Sequence, residues 1–352
     1  MRTLSVGTNT LAIRNGWIFS PRYDLLFFYL PFIAGWAILA VSLYTGTGDL
    51  VLTGSTFVML FAFATFLDTG HIMSTISQVY LDKEERTKYK RVLIIAPICF
   101  FAIGVLIYAI LGMKYFLYFF GYFNFYHILK QQYGWMAYST RKSGFFNAFD
   151  FKFDQVFVYA AMLLPFAWAH FSLGGNGSRT AIAFFGNNPL VSKILKDLFI
   201  LTLVLYFVKQ VVFVTIYRTI NLNKFFLLTV TAVAWGAIIF VKSPFTLFTT
   251  NIMHSTPYMA LIYFYGRKKQ VISPERKSFF GWKFAFILFP VGILLAGYLY
   301  THLLRYLGKA DFSRVLGMPF AIITILLSVA FFMHYYLDGI IWKKRNFKRE
   351  LQ

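Results

Sequence analysis

Long apolar runs alternate with short polar segments along the whole chain. An apolar run of about 20 residues crosses a bilayer as a helix. The apolar runs and the polar segments that separate them predict ten transmembrane helices, over residues 24–45, 51–79, 92–112, 115–138, 155–171, 194–217, 225–242, 244–266, 281–304 and 317–342. We therefore expect an all-α integral membrane protein, a bundle of about ten transmembrane helices forming one polytopic domain over residues 1–352.

The composition agrees with this pattern. Of the 352 residues, 59% are hydrophobic and only 13% are charged. Soluble proteins carry about 25% charged residues, so a soluble class is excluded.

The positive charge indicates topology rather than a nucleic-acid partner. The net charge is +21 at pH 7, but Lys and Arg cluster in short loops beside the apolar runs. Ten spans place both termini on one side, and most positive residues fall on that side. The sequence thus predicts a cytoplasmic N-terminal segment (1–23), a cytoplasmic basic tail (343–352) and residence in the bacterial inner membrane.

Four histidines lie inside apolar runs: His71, His127, His254 and His334. The predicted topology puts them on four helices that run in the same direction, about 12–18 Å from the cytoplasmic helix ends. Ionisable side chains inside a membrane are functional candidates, and facing helices of a bundle can build a metal site. We therefore predict a metal or haem site in the cytoplasmic half of the bundle.

The other candidate ligands are excluded. His170 and His302 fall at the ends of predicted spans, where the outer interface would solvate them. The one cysteine, Cys99, permits neither an intrachain disulfide nor a cysteine-based metal site.

Two acidic residues are predicted to serve as catalytic groups. Asp68 precedes His71 by three residues and Asp338 follows His334 by four, so each carboxylate shares a helical face with its histidine. Such a carboxylate orients the imidazole through its distal N–H, or binds the metal itself. The alternative is that these are polar pairs that hold helices together.

Further polar residues near the histidines are candidate contacts to ligands or substrate. They are Gln131, Gln132, Tyr133, Tyr258 and Lys209. Each glutamine or tyrosine alone is equally typical of interhelical hydrogen bonding. Lys209 is expected to pair with a carboxylate or a substrate head group, or to extend its ammonium group to the interface.

Imidazoles without cysteine favour iron, copper, zinc or haem over magnesium or calcium. A zinc hydrolase with three ligands remains open, as does bis-histidine ligation of haem. The paired carboxylates favour non-haem iron. A site in the hydrocarbon region is accessible to lipophilic substrates such as a carotenoid, an isoprenoid or a lipid.

Three local patterns resemble a group of bacterial polytopic membrane proteins. They are an acid-x-x-His followed by Tyr-Leu-Asp (Asp68 to Asp82), a His with Gln-Tyr-Gly (His127 to Gly134), and His-Tyr-x-x-Asp-x-x-x-Trp (His334 to Trp342). The group is similar to the Brp/Blh-type β-carotene 15,15′-dioxygenases. That resemblance implies a membrane enzyme with four histidines around non-haem iron. Here Gly70 precedes His71, where the Brp/Blh pattern has proline.

The sequence thus favours a membrane-embedded, iron-dependent oxygenase, with a lipophilic small molecule and O₂ as reactants and membrane lipid as its surroundings. A bis-histidine haem protein and a transporter with a polar intramembrane path are the alternatives.

Overall fold

The computed structural model describes residues 11–44, 67–172 apart from 69 and 77, 187–241, 245–272 and 318–341. These residues are almost entirely helical. Within the described ranges, six helices are long and apolar enough to cross a membrane: Pro21–Val41, Lys90–Leu111, Ala148–Ser172, Pro189–Tyr217, Leu222–Phe240 and Ala321–Ile341. The all-α integral membrane class is therefore confirmed, and six of the ten predicted spans coincide with these helices.

The remaining four predicted spans have different outcomes. Predicted span 115–138 lies in the long helix Met113–Lys142, and predicted span 244–266 lies, from residue 245 on, in the long helix Phe245–Ile272. The polar side chains of these two helices leave them outside the group of six apolar helices. Of span 51–79 only the end from residue 67 is described, and it is helical. Span 281–304 lies outside the described residues, so the count of ten stays a prediction.

The chain divides into two compact units. Unit 1 comprises residues 1–49 and 128–250, and unit 2 comprises residues 50–127 and 251–352. The predicted single polytopic domain is not tested by this division.

Unit 1 begins with a short strand and a helix of mixed type. Strand β1 (Ala12–Arg14) leads to helix α1 (Pro21–Asp24), a π-helical stretch (Leu25–Tyr29) and helix α2 (Leu30–Tyr44). The Asp24 carboxylate accepts hydrogen bonds from the backbone N–H groups of Ile18 (2.6 Å) and Phe19 (2.9 Å). These two hydrogen bonds connect the predicted N-terminal segment (1–23) to the start of the first apolar helix.

The rest of unit 1 includes the C-terminal part of helix α6 (Met113–Lys142), helices α7 (Ala148–Ser172), α8 (Pro189–Tyr217) and α9 (Leu222–Phe240), and strand β2 (Thr219–Asn221). Strand β2 pairs with β1 in parallel, with Ile13 opposite Ile220. Gly16 permits this approach, because a Cβ there would lie 2.2 Å from the Asn221 side-chain oxygen. This two-stranded pair was not predicted.

Helix α7 begins at Ala148, whereas the sequence pattern predicted a span from 155. Asp150, Lys152 and Asp154 make this stretch appear polar. The structure buries both aspartates against two lysines, Lys209 on α8 and Lys224 on α9. The sequence pattern therefore placed the start of this span seven residues too late.

Unit 2 contains helix α3 (helical residues 67–68, 70–76 and 78–80), α4 (Lys83–Lys88), α5 (Lys90–Leu111) and α11 (Met318–Ile341). It also takes most of helix α10 (Phe245–Ile272) and the first half of α6. Val79, Leu93 and Leu337 form a buried apolar cluster that joins α3, α5 and α11. A second, largely aromatic cluster surrounds Phe116 and Phe332.

Candidate metal centre

Four histidine side chains converge in unit 2. They are His71 on α3, His127 on α6, His254 on α10 and His334 on α11. All four are buried, with exposed fractions of 0%, 6%, 2% and 0% respectively. Burying four imidazoles among apolar helices is costly unless partners or a ligand satisfy their nitrogens.

The imidazole rings lie within van der Waals reach of one another. The His71 ring centroid is 4.3 Å from that of His334, 4.4 Å from that of His254 and 5.9 Å from that of His127. The His127 centroid is 5.1 Å from that of His254 and 4.7 Å from that of His334. The grouping that matched depth predicted is thus present in the structure.

Among the described residues, two sets of three side chains bring donor atoms close enough to hold one ion. The first set is His71, His127 and His254, and the second is His127, His334 and Asp338. Within each set the donor atoms lie within 4.8 Å of one another. His127 belongs to both sets, so the four histidines and Asp338 surround one region.

Two buried imidazole nitrogens have no hydrogen-bond partner among the described residues: His71 Nδ1 and His127 Nε2. A buried polar atom without a partner is unfavourable, and a bound cation is one way to satisfy it. Neutral imidazole nitrogens are good ligands for iron, copper and zinc. The donor set therefore fits a transition-metal ion.

A chain of short hydrogen bonds begins at His334. His334 Nδ1 lies 2.6 Å from the Thr75 hydroxyl oxygen, which lies 2.7 Å from the Tyr258 hydroxyl oxygen. The Tyr258 hydroxyl donates to Asp338 Oδ1, which is also 3.3 Å from Thr75 Oγ1. Thr75 is fully buried and links residues from α10 and α11.

Asp338 therefore acts on His334 through Thr75. Its Oδ1 is 3.6 Å from His334 Nδ1, beyond hydrogen-bond distance, although the residues are one helical turn apart. Its Oδ2 is 3.9 Å from His127 Nε2. The predicted direct carboxylate–imidazole bond is replaced by a hydroxyl-mediated one.

Asp68 lies one turn before His71 on α3 and is half-buried. No hydrogen bond to its carboxylate occurs within the described part of the chain, and it belongs to neither set of candidate ligands. Its predicted role beside His71 stays a prediction.

Aromatic packing fixes the ring of His127. The Tyr335 ring stacks on it with centroids 4.4 Å apart and planes inclined by 25°. The Tyr335 hydroxyl donates to the Asn124 side-chain oxygen at 2.9 Å, and Tyr335 belongs to the aromatic cluster around Phe332. This ring position is therefore set by the core of unit 2.

Among the other predicted contacts, only Tyr258 lies in unit 2. Gln131, Gln132, Tyr133 and Lys209 belong to unit 1. Gln132 accepts a hydrogen bond from Thr231 at 3.4 Å, and the Tyr133 ring packs against that of Tyr159, with centroids 5.8 Å apart.

Lys209 pairs with carboxylates, one of the three roles that the sequence left open. Its ammonium group lies 2.8 Å from Asp154 Oδ1 and also contacts Asp150. Lys224 bridges the same two aspartates, at 2.6 Å from Asp154 Oδ2. Two lysines and two aspartates thus form a closed, formally neutral ion cluster.

His170 was expected at a solvated interface, but it is buried, with 3% of its surface exposed. Its ring packs edge-on against Phe166, with centroids 4.8 Å apart. The predicted end of α7 agrees with the structure. Position along a helix does not show which of its faces other helices cover, and for this reason the solvation of His170 was predicted wrongly. His302 lies outside the described residues.

Sequence reasoning missed Thr75. It follows His71 by four residues, which is the spacing of neighbours on one helical face. A hydroxyl residue at that spacing is common in membrane helices, where it usually bonds a backbone carbonyl. Only its contacts with residues from two other helices distinguish it.

Comparison with models of known protein families, with curated proteins and with solved structures gives no match for the chain.

Proposed function

We propose that this chain is a membrane-embedded, non-haem iron oxygenase that acts on a lipophilic substrate such as a carotenoid, an isoprenoid or a lipid. His71, His127, His254 and His334 would hold the iron. The observation that carries the proposal is the convergence of four buried imidazoles in unit 2, with nitrogens left without partners among the described residues.

The spacing of the imidazoles supports one small ion rather than haem. His71 Nε2 and His334 Nε2 are 2.7 Å apart. With metal–nitrogen bonds of about 2.0–2.1 Å, that separation approaches the one expected for neighbouring ligands of a single ion. A porphyrin is far wider than the 4.3–5.9 Å that separate these ring centroids, which argues against the bis-histidine alternative.

The carboxylate near the histidines and the apolar surroundings favour oxygen chemistry over hydrolysis. Open positions on a histidine- and carboxylate-rich iron site bind O₂ in many non-haem oxygenases, and activating O₂ is the chemistry the iron would supply. The chain's own residues would hold the iron, exclude water from it and fix the ring orientations.

A dioxygenase-type cleavage needs no further reductant. One carbon–carbon double bond of a polyene and one O₂ give two carbonyl products, with one oxygen atom in each. The membrane would supply the substrate, because a polyene partitions into hydrocarbon. The three sequence patterns resemble a group of bacterial membrane proteins that is itself similar to the Brp/Blh-type dioxygenases, and this resemblance supports the same reaction class.

The proposal includes an orientation. The excess of positive residues on one side of the predicted spans would place both termini in the cytoplasm and the histidines in the cytoplasmic half of the inner membrane.

The test begins with protein purified without chelators. We expect about one iron per chain and no Soret band in the visible spectrum. With a polyene such as β-carotene and isotope-labelled O₂, we expect labelled aldehyde products. The matched control is His254→Ala, which should lack both iron and products.

Three results would contradict the proposal: a Soret band, a protein free of metal, or stoichiometric zinc without any oxygenation activity.

A further inference from the structure

We propose that Thr75 is a positioning residue for the metal site: its hydroxyl, held by Tyr258 and Asp338, keeps His334 protonated at Nδ1 and leaves Nε2 to face the other imidazoles. The expected effect on metal binding rests on the proposed function. The hydrogen bonds that position His334 are contacts within unit 2 and do not depend on it.

The hydrogen bonds around Thr75 have a direction that the available protons determine. A threonine and a tyrosine hydroxyl each carry one proton to donate. The Tyr258 hydroxyl donates to Asp338 Oδ1. The Thr75 hydroxyl then donates its proton either to the Tyr258 oxygen, 2.7 Å away, or to Asp338 Oδ1, 3.3 Å away.

The direction of these hydrogen bonds fixes the tautomer of His334. Once Thr75 has donated its proton, its oxygen can only accept from His334 Nδ1, 2.6 Å away. A neutral imidazole has one N–H, so Nε2 is then bare. That nitrogen faces His71 Nε2 at 2.7 Å, where the proposed metal would be held.

The distance between Asp338 and His334 makes a hydroxyl necessary at position 75. The Asp338 carboxylate is 3.6 Å from His334 Nδ1, too far for a direct hydrogen bond. Thr75 bridges the gap and is fully buried, so water from outside cannot easily replace it. Valine has nearly the same shape as threonine but lacks the hydroxyl.

The test uses Thr75→Val, with Thr75→Ser as the conservative variant. The control is Thr231→Val, a buried threonine of unit 1 whose hydroxyl bonds the Leu227 carbonyl at 2.8 Å. The full-length protein is placed in lipid bilayers with isotope-labelled histidine, and metal is removed with a chelator. Solid-state NMR then reports which ring nitrogen of His334 is protonated, with His334→Ala identifying its signals.

We expect a protonated Nδ1 at His334 in the natural protein, in Thr75→Ser and in Thr231→Val. In Thr75→Val we expect this preference to be lost. A protonated Nε2 in the natural protein, or an unchanged tautomer in Thr75→Val, would overturn the inference.

The second readout is iron affinity. Loss of a group that orients a ligand typically weakens metal binding by about 10–100-fold, which is the loss expected for Thr75→Val. Thr75→Ser and Thr231→Val should bind iron like the natural protein, and equal weakening in Thr231→Val would contradict a specific role. If the natural protein binds no iron but shows the Nδ1–H tautomer, the proposed function fails while the positioning of His334 by Thr75 stands.

Discussion

His71 Nε2 and His334 Nε2 lie 2.7 Å apart, although 263 residues separate them in the chain. The two residues lie on different helices, His71 on α3 and His334 on α11. Their contact depends on α3 and α11 packing side by side through the apolar cluster of Val79 and Leu337. The proposed site therefore depends on the packing of the unit 2 core. Experiments can distinguish the effect of replacing a ligand from the effect of disturbing that core.

Replacing any one of His71, His127, His254 or His334 by alanine should abolish iron retention, because each removes an imidazole from a site with few other donors. His170→Ala and His302→Ala should retain iron. Metal content per purified chain measures this. Equal loss in all six variants would contradict the selection of the four histidines.

Removing the metal should destabilise the natural protein. A ligand that binds only the folded state at 100 times its dissociation constant stabilises it by about 2.7 kcal/mol. A chelator should therefore lower the thermal unfolding midpoint of the natural protein and leave that of His254→Ala unchanged. An identical shift in both proteins would indicate that the chelator acts elsewhere.

Tyr258→Phe should weaken iron binding without preventing folding. The change removes the hydroxyl that donates to Asp338 and contacts Thr75, so the hydrogen-bond chain to His334 is interrupted. We expect a loss of affinity of about 10-fold or more. Tyr80→Phe is the control, because that hydroxyl donates to the Leu93 backbone carbonyl at 3.1 Å.

The ion cluster of unit 1 should contribute to the free energy of unfolding and should not affect iron content. Lys209→Met leaves two buried aspartates with one lysine, and removing one partner of a buried pair costs about 3–5 kcal/mol. Denaturant unfolding in detergent measures the loss, with the exposed Lys130→Met as control. Iron content per folded chain should stay unchanged; its loss would restore Lys209 as a candidate contact of the site.

Gly104 should tolerate no side chain. A Cβ there would lie 2.6 Å from Ile325 Cγ2 and 3.1 Å from the Phe116 ring. Gly104→Ala is therefore expected to destabilise the protein by about 1–3 kcal/mol through overpacking. Gly121→Ala, where a Cβ meets nothing within 4 Å, should be neutral or stabilising, and the two unfolding curves give the comparison.

The apolar pattern was sufficient to predict the membrane class and the approximate bounds of six helices, because length and hydropathy are properties of the chain itself. The pattern misplaced the start of α7, because Asp150 and Asp154 make this stretch look polar in the sequence. Only the structure shows that lysines on α8 and α9 neutralise them. The pattern also placed His170 at a solvated interface, because a linear pattern does not show which helix covers a given face.

The same distinction applies to the site. The sequence by itself determined which histidines lie in apolar runs, and a common depth follows from the rise of a helix. Only the tertiary structure decided that these four rings meet, that Asp338 reaches His334 through Thr75, and that Lys209 pairs with Asp150 and Asp154. Such contacts join residues far apart in the chain, and they depend on helix packing that no local spacing specifies.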